Sequence, residues 1–239
     1  MATLAELTDT LARATGLSHA TAFAYGRFAR EGGYVSQSGR GNNAAQMTLR
    51  DAVNLLIAVG GTGITREAEL AIAAFRKLRS IFGYGNKIDG PLLSWLKPLG
   101  VVDASYVKAD FGSFLDFLMN ETASGGLRDI CRLMPDNPRL RDLLPAKTEI
   151  GVNLDVVVEF SRTNPEASVY FRPRYSYRRT DLHAFTFQGS PLLSLGMEVT
   201  AYIPVTTLAS LAYCVTSGPI PKQLRTPVQI DRFLFPERA

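Results

Sequence analysis

Apolar residues recur every three or four positions through the first third of the chain, which is the spacing of an amphipathic helix. Ser18 and Thr48 are good helix N-caps, and Gly16 is placed to end the first helix. A similar pattern continues into the middle of the chain. The main helices predicted in this way span residues 4–15, 19–31, 49–61, 65–82 and 105–120.

Near residue 145 the pattern changes from a period of 3.6 to a period of 2, which is typical of strands. A helix over residues 206–215 is expected to pack on the resulting small antiparallel sheet. We therefore predict an α+β fold. The four candidate strands span residues 150–160, 168–177, 182–188 and 197–203.

The change of period also indicates three units along the chain. Residues 1–60 form the first, residues 61–145 a helical linker or oligomerisation region, and residues 146–239 a C-terminal α+β domain. A length of 239 residues suits two or three small units better than one.

Between the second and third helices the chain reads GGYVSQSGRGNNAAQMT, with four Gly, two Asn and one Arg in residues 32–48. We predict a small β-hairpin here, because a glycine-rich turn lies between two short runs with strand character. The strands are placed at residues 34–37 and 44–47, and the turn at residues 38–43.

This order of helix, turn, helix, hairpin and helix resembles the winged helix-turn-helix family of DNA-binding proteins. The resemblance is carried by LAELTDTLARATGLSHATAFAYGRFAREGGYVSQSGRGNNAAQMT, within the first 60 residues. It implies that the second helix enters the major groove and that the hairpin, or wing, lies along the adjacent backbone or minor groove.

The tip of the predicted wing has the chemistry of a phosphate contact. Gly39 and Gly41 allow positive φ and leave room for the backbone to approach a phosphate. Arg40 between them suits a phosphate or the narrow minor groove, and Asn42 and Asn43 add amide donors and acceptors without charge. A solvated tight turn is the alternative interpretation.

The predicted recognition helix offers a second set of candidate DNA ligands. Ser18, His19 and Thr21 fall in its first turn, which usually meets base edges, and Arg27 and Arg30 follow as phosphate ligands. The alternative is that these residues form an ordinary solvated helix face.

A second basic stretch, YFRPRYSYRRT at residues 170–180, interleaves arginines with aromatic residues, as some nucleic-acid-binding surfaces do. Here we favour a half-buried strand with a charged outer face, and an acidic protein partner is a third interpretation. The candidate DNA ligands in this stretch are Arg172, Arg174, Arg178 and Arg179.

Composition limits the classes of function that the chain can have. The net charge of +4 and pI of about 9.1 permit nucleic-acid binding without requiring it. Cys131 and Cys214 lie in no CxxC or Cys/His cluster, so we expect neither a metal site, a cofactor nor a disulfide framework. We find no signal peptide, membrane span or nucleophile motif, and expect a cytoplasmic protein that is not an enzyme.

These observations predict a sequence-specific double-stranded DNA-binding protein, a transcriptional regulator of bacterial or phage origin. We expect a homodimer that reads two half-sites, with a C-terminal domain that dimerises, senses a signal or binds a protein. Two alternatives remain open: a phage or plasmid DNA-processing or packaging adaptor, and a protein-interaction module that does not bind DNA.

Overall fold

The computed structural model describes most of the helices and strands that the sequence predicts, together with three strands that it does not. The residues it describes are 2–37, 45–85, 90–103, 106–127, 154–163, 165–173, 183–189 and 199–218.

Seven α-helices lie within these residues: α1 (Leu4–Thr15), α2 (His19–Glu31), α3 (Leu49–Gly61), α4 (Ala68–Arg76), α5 (Gly90–Leu96), α6 (Phe111–Ser124) and α7 (Val205–Ser217). Short 3₁₀ turns precede α4 at Thr65–Glu67 and follow α5 at Lys97–Leu99.

The strands form one antiparallel sheet of five, in the order β1-β6-β5-β4-β7, and a separate pair, β2 with β3. Their bounds are β1 (Arg79–Gly85), β2 (Val101–Asp103), β3 (Tyr106–Val107), β4 (Leu154–Ser161), β5 (Glu166–Pro173), β6 (His183–Gln188) and β7 (Thr200–Pro204). The predicted α+β class is confirmed, with an antiparallel sheet and a helix, α7, packed against it.

The first three predicted helices are confirmed, and local capping explains their limits. Ser18 accepts a hydrogen bond from the Thr21 amide at the start of α2. Thr48 and Asp51 form a capping box at the start of α3, and Gly16 ends α1 in the left-handed region with φ of 75°. These helix ends were predictable because each depends on residues adjacent in sequence.

The predicted helix over residues 65–82 is wrong in its last third. It ends at Arg76, and β1 begins at Arg79 and pairs with β6. Ser80 is buried while Arg79 and Ile81 are exposed, so the alternation of a half-buried strand applies there. Pairing with a strand about 100 residues later overrides the local helical pattern.

The helix predicted over residues 105–120 is shifted. It begins at Phe111, after Asp110 accepts a hydrogen bond from the Ser113 amide as N-cap, and it ends at Ser124. Tyr106–Val107 forms β3 instead. The N-cap therefore sets the start of α6 six residues later than the hydrophobic spacing indicates.

The predicted hairpin strands are wrong for the residues described there, because residues 34–37 and 45–47 have no strand pairing. Their polar backbone groups are bound elsewhere. The Tyr34 amide donates to the Ala29 carbonyl at 2.9 Å, and the Met47 amide donates to the Ala2 carbonyl at 2.8 Å. Since these groups are occupied by the helical body, they cannot form a two-stranded ladder.

The core is continuous across the three predicted units. Phe160 of β4 packs against Phe75 of α4 and Phe111 of α6, with ring centroids 5.4 and 5.5 Å apart. The C-terminal helix α7 packs against α1 and α6. The divisions at residues 60 and 145 stay a prediction, but the described parts of the three units share one hydrophobic cluster.

Candidate nucleic-acid interface

Helix α2 has one buried face and one continuous exposed face. Ala22, Tyr25 and Ala29 are buried, as the spacing predicts. A Cβ on Gly26 would lie 2.7 Å from the Thr8 methyl group, so α1 and α2 pack with little space between them. The exposed face is therefore set firmly by the packing of α2 on its neighbours. Its members are His19, Ala20, Phe23, Arg27, Arg30 and Glu31.

The first turn of α2 presents two hydroxyl groups that contact each other. The oxygen atoms of Ser18 and Thr21 lie 2.8 Å apart, and Ser18 Oγ also accepts the Thr21 amide at 3.1 Å. A hydroxyl has one donor and two acceptor positions, so this pair retains capacity for a base edge or a phosphate.

His19 is 61% exposed at the side chain, and its Nε2 lies 3.8 Å from Asp9 Oδ1. The His19 side chain is thus accessible in the first turn of α2, where base contacts are predicted, but it also lies near the Asp9 carboxylate of α1.

The two arginines of α2 differ in how much positive charge they offer. Arg27 Nε lies 3.6 Å from Glu31 Oε1, and its guanidinium sits 4.5 Å over the Phe28 ring. Arg30 is exposed, and no ion pair with another described residue occupies its guanidinium. The positive charge of Arg30 is therefore more available to a ligand than that of Arg27.

The segment that contains the predicted wing tip is anchored on both sides at the start of α3. Asp51 Oδ1 accepts the Ser36 amide at 2.9 Å, and Asp51 Oδ2 accepts the Ser36 hydroxyl at 2.9 Å and the Thr48 amide at 2.7 Å. Asn54 Nδ2 donates to the Tyr34 carbonyl at 2.5 Å. Residues 38–44 therefore connect two fixed points.

This anchor continues into the interior. Asn54 Oδ1 accepts Arg76 Nε at 2.5 Å, and both terminal nitrogens of Arg76 donate to the Asp116 carboxylate at 3.0 Å. Bidentate pairs of this kind fix orientation as well as contributing energy. The start of α3 is thus tied to α4 and α6.

Several predicted DNA ligands lie outside the described residues, and these are Gly39, Arg40, Gly41, Asn42, Asn43, Arg174, Arg178 and Arg179. Arg172 lies in β5 opposite Asp155 of β4, with only its backbone described. Of the second basic stretch only residues 170–173 are described, and they belong to β5, whose main contacts are with the neighbouring strands β4 and β6.

Two exposed residues near this surface were missed by the sequence reasoning. Phe23 is 42% exposed between His19 and Arg27, and Arg50 is exposed in the first turn of α3. The spacing of 19, 23 and 27 gives the helical period that places Phe23 on the outer face.

Comparison with family models, curated proteins and solved structures returned no match for this chain. In the described part of the chain, no helix is long and apolar enough to cross a membrane, and no group of His, Cys, Asp and Glu side chains is arranged to hold a metal ion. Function is therefore inferred from this chain's own contacts.

Proposed function

We propose that the protein is a sequence-specific double-stranded DNA-binding protein and acts as a transcriptional regulator, with α2 as the helix that enters the major groove. The observation that carries this proposal is the N-terminus of α2, where the Ser18 and Thr21 hydroxyl oxygens lie 2.8 Å apart, together with the exposed face of the helix from His19 to Arg30. The opposite face of the helix is buried, so this stripe is rigidly presented. In helix-turn-helix docking the first turn of the second helix contacts base edges.

The anchored segment after α2 supports the same proposal. Ser36, before residues 38–44, is hydrogen-bonded to Asp51 of α3, and Met47, after them, is hydrogen-bonded to the Ala2 carbonyl, so the described residues on both sides of the segment are held in place. Residues 38–44 include Arg40 and two asparagines, which are good ligands for phosphate and base edges.

The charge of this surface predicts modest affinity for one copy. Arg30 and Arg50 are exposed and form no ion pair with a described carboxylate, whereas Arg27 is balanced by Glu31. Arg40, the third arginine of the proposal, lies outside the described residues. Three phosphate contacts would give a slope of log K against log salt of about −3. A homodimer on two half-sites would supply the remaining affinity.

The test is fluorescence anisotropy on a site selected from random-sequence DNA, with Arg30→Ala compared with Arg79→Ala, a matched exposed arginine on β1. Loss of one phosphate contact by Arg30→Ala should weaken binding several-fold and reduce the salt slope by about 1. Thr21→Val should reduce discrimination between the selected and random sequences. Equal behaviour of Arg30→Ala and Arg79→Ala would contradict the assignment of α2.

A second candidate, a protein-interaction module that does not bind DNA, is favoured by Phe23. An exposed aromatic ring in the centre of a helix face is typical of a protein interface. In that case the wild type would not bind DNA even at low salt, and Phe23→Ala would abolish a protein complex that Arg30→Ala leaves intact.

A further inference from the structure

A cavity of about 220 Å³ lies where the α1–α2 turn, the end of α3 and the β7–α7 corner meet. It opens to solvent on one side. Residues lining it include Thr15, Leu17, Val59, Arg162, Ile203 and Thr207. The cavity is thus formed jointly by the first two helices and the C-terminal sheet.

Arg162 is the charged group of this cavity. Its Nε donates to the Gly60 carbonyl at 3.0 Å and its Nη2 donates to the Val59 carbonyl at 2.9 Å. These hydrogen bonds use one side of the guanidinium and supply donors to two carbonyls in the last turn of α3. A cation is favoured there because the C-terminal end of a helix carries partial negative charge. Nη1 has no hydrogen bond to any described residue, and no described carboxylate pairs with Arg162.

The two threonine hydroxyls of the cavity already donate to backbone carbonyls. Thr15 Oγ1 donates to Leu11 at 2.7 Å and Thr207 Oγ1 donates to Ala14 at 3.5 Å. Of the Thr15, Thr207 and Arg162 side chains, only the end of the Arg162 guanidinium therefore keeps N–H groups with no hydrogen bond to a described residue, and a planar fork of this kind matches a carboxylate.

From this arrangement we propose that the cavity binds a small monocarboxylic acid with an apolar body, with its carboxylate on the Arg162 guanidinium. Leu17, Val59 and Ile203 supply the apolar wall. A cavity of about 150 Å³ in another protein holds a benzene ring, so the space here accommodates a ring plus a carboxylate. This site lies beside the start of α2 but uses none of the proposed DNA ligands, and its test contains no DNA.

The experiment measures binding of sodium benzoate to the full chain by calorimetry and by the shift in Tm, with benzamide as the neutral isostere and sodium phosphate as an anion without an apolar body. Calorimetry should show saturable binding of benzoate, and once benzoate exceeds its Kd, Tm should rise by about 3 °C or more for each further tenfold increase in its concentration. Benzamide and phosphate should bind at least about tenfold more weakly, since each lacks one half of the recognition.

Two variants test separately the contribution of the Arg162 charge and that of the cavity volume. Arg162→Gln should abolish the benzoate response, although it also lowers the starting Tm because α3 loses its C-terminal partner. Ala14→Leu fills the cavity, keeps Arg162 and should also abolish the response. Equal shifts with benzoate and benzamide, or full benzoate affinity in Ala14→Leu, would overturn the proposal.

Discussion

Replacement of Asp51 tests the anchor at the start of α3. Its carboxylate is 4% exposed and accepts hydrogen bonds from the amide and hydroxyl groups of both Ser36 and Thr48, at distances of 2.7 to 2.9 Å. Asp51→Ala removes the only described side chain that joins both ends of the 38–44 segment in this way, and it removes an acid from the first turn of a helix.

The magnitude follows from the groups that lose their partner. Two backbone amides, those of Ser36 and Thr48, are left without an acceptor, at about 1 kcal/mol each because both sites are partly exposed. Loss of the capping box and of the favourable charge at the N-terminus of α3 adds about 1 kcal/mol. We therefore expect the free energy of unfolding to fall by about 3 kcal/mol, or Tm by roughly 6–12 °C.

The assay is urea unfolding followed by circular dichroism, with hydrogen exchange of the Ser36 and Thr48 amides. Asp51→Asn, which keeps one acceptor oxygen, should lose about half as much free energy as Asp51→Ala. Glu31→Ala, which removes an exposed ion pair, should change the free energy by only about 0.5 kcal/mol. A loss below about 1 kcal/mol for Asp51→Ala, or unchanged exchange at Ser36, would refute the anchor.

Two further variants and one thiol-labelling experiment test the packing. Gly60→Ala should destabilise the fold despite the better helix propensity of alanine, because its Cβ would lie 2.5 Å from the Phe160 ring; unfolding that matches the wild type would contradict this close approach. Tyr25→Phe removes a buried 2.7 Å hydrogen bond to the Thr62 carbonyl and should cost about 1 kcal/mol. Burial raises the pKa of the Tyr25 hydroxyl above its value in the unfolded chain. The stability that depends on the protonated hydroxyl is therefore present below about pH 10 and is lost as pH rises through the higher pKa of the folded state. The Tyr25→Phe variant has no such hydroxyl, so its stability should not fall in this pH range for that reason. Burial likewise raises the pKa of the Cys214 thiol, which should resist iodoacetamide in the folded protein and react on unfolding, as mass spectrometry of its peptide would show.

The N-terminal helices were predictable because their information is local. Ser18 and Thr48 cap helices through amides three residues away, and the buried face of α2 follows the helical period. Phe23 could have been placed on the exposed face by the same period. Element type is therefore most reliable where caps and periodicity agree.

The parts that the sequence did not predict depend on distant partners. β1 is a strand because residues 79–85 pair with β6, and the segment around Ser36 is irregular because Asp51 and Asn54 bind it. Arg162 ends α3 from about 100 residues away, through carbonyls that have no sequence signature. Contacts between residues so far apart in sequence cannot be predicted from local patterns, because they form only in the folded chain.

The measurement that tests the central claim most directly is anisotropy binding of the wild type and Arg40→Ala to random-sequence DNA, at salt from roughly 50 mM to 200 mM. The proposal predicts binding that weakens with salt, enrichment of a defined sequence from the pool, and binding several-fold weaker for Arg40→Ala. Absence of binding by the wild type at the lowest salt would contradict DNA recognition and would favour a protein partner on the face of α2.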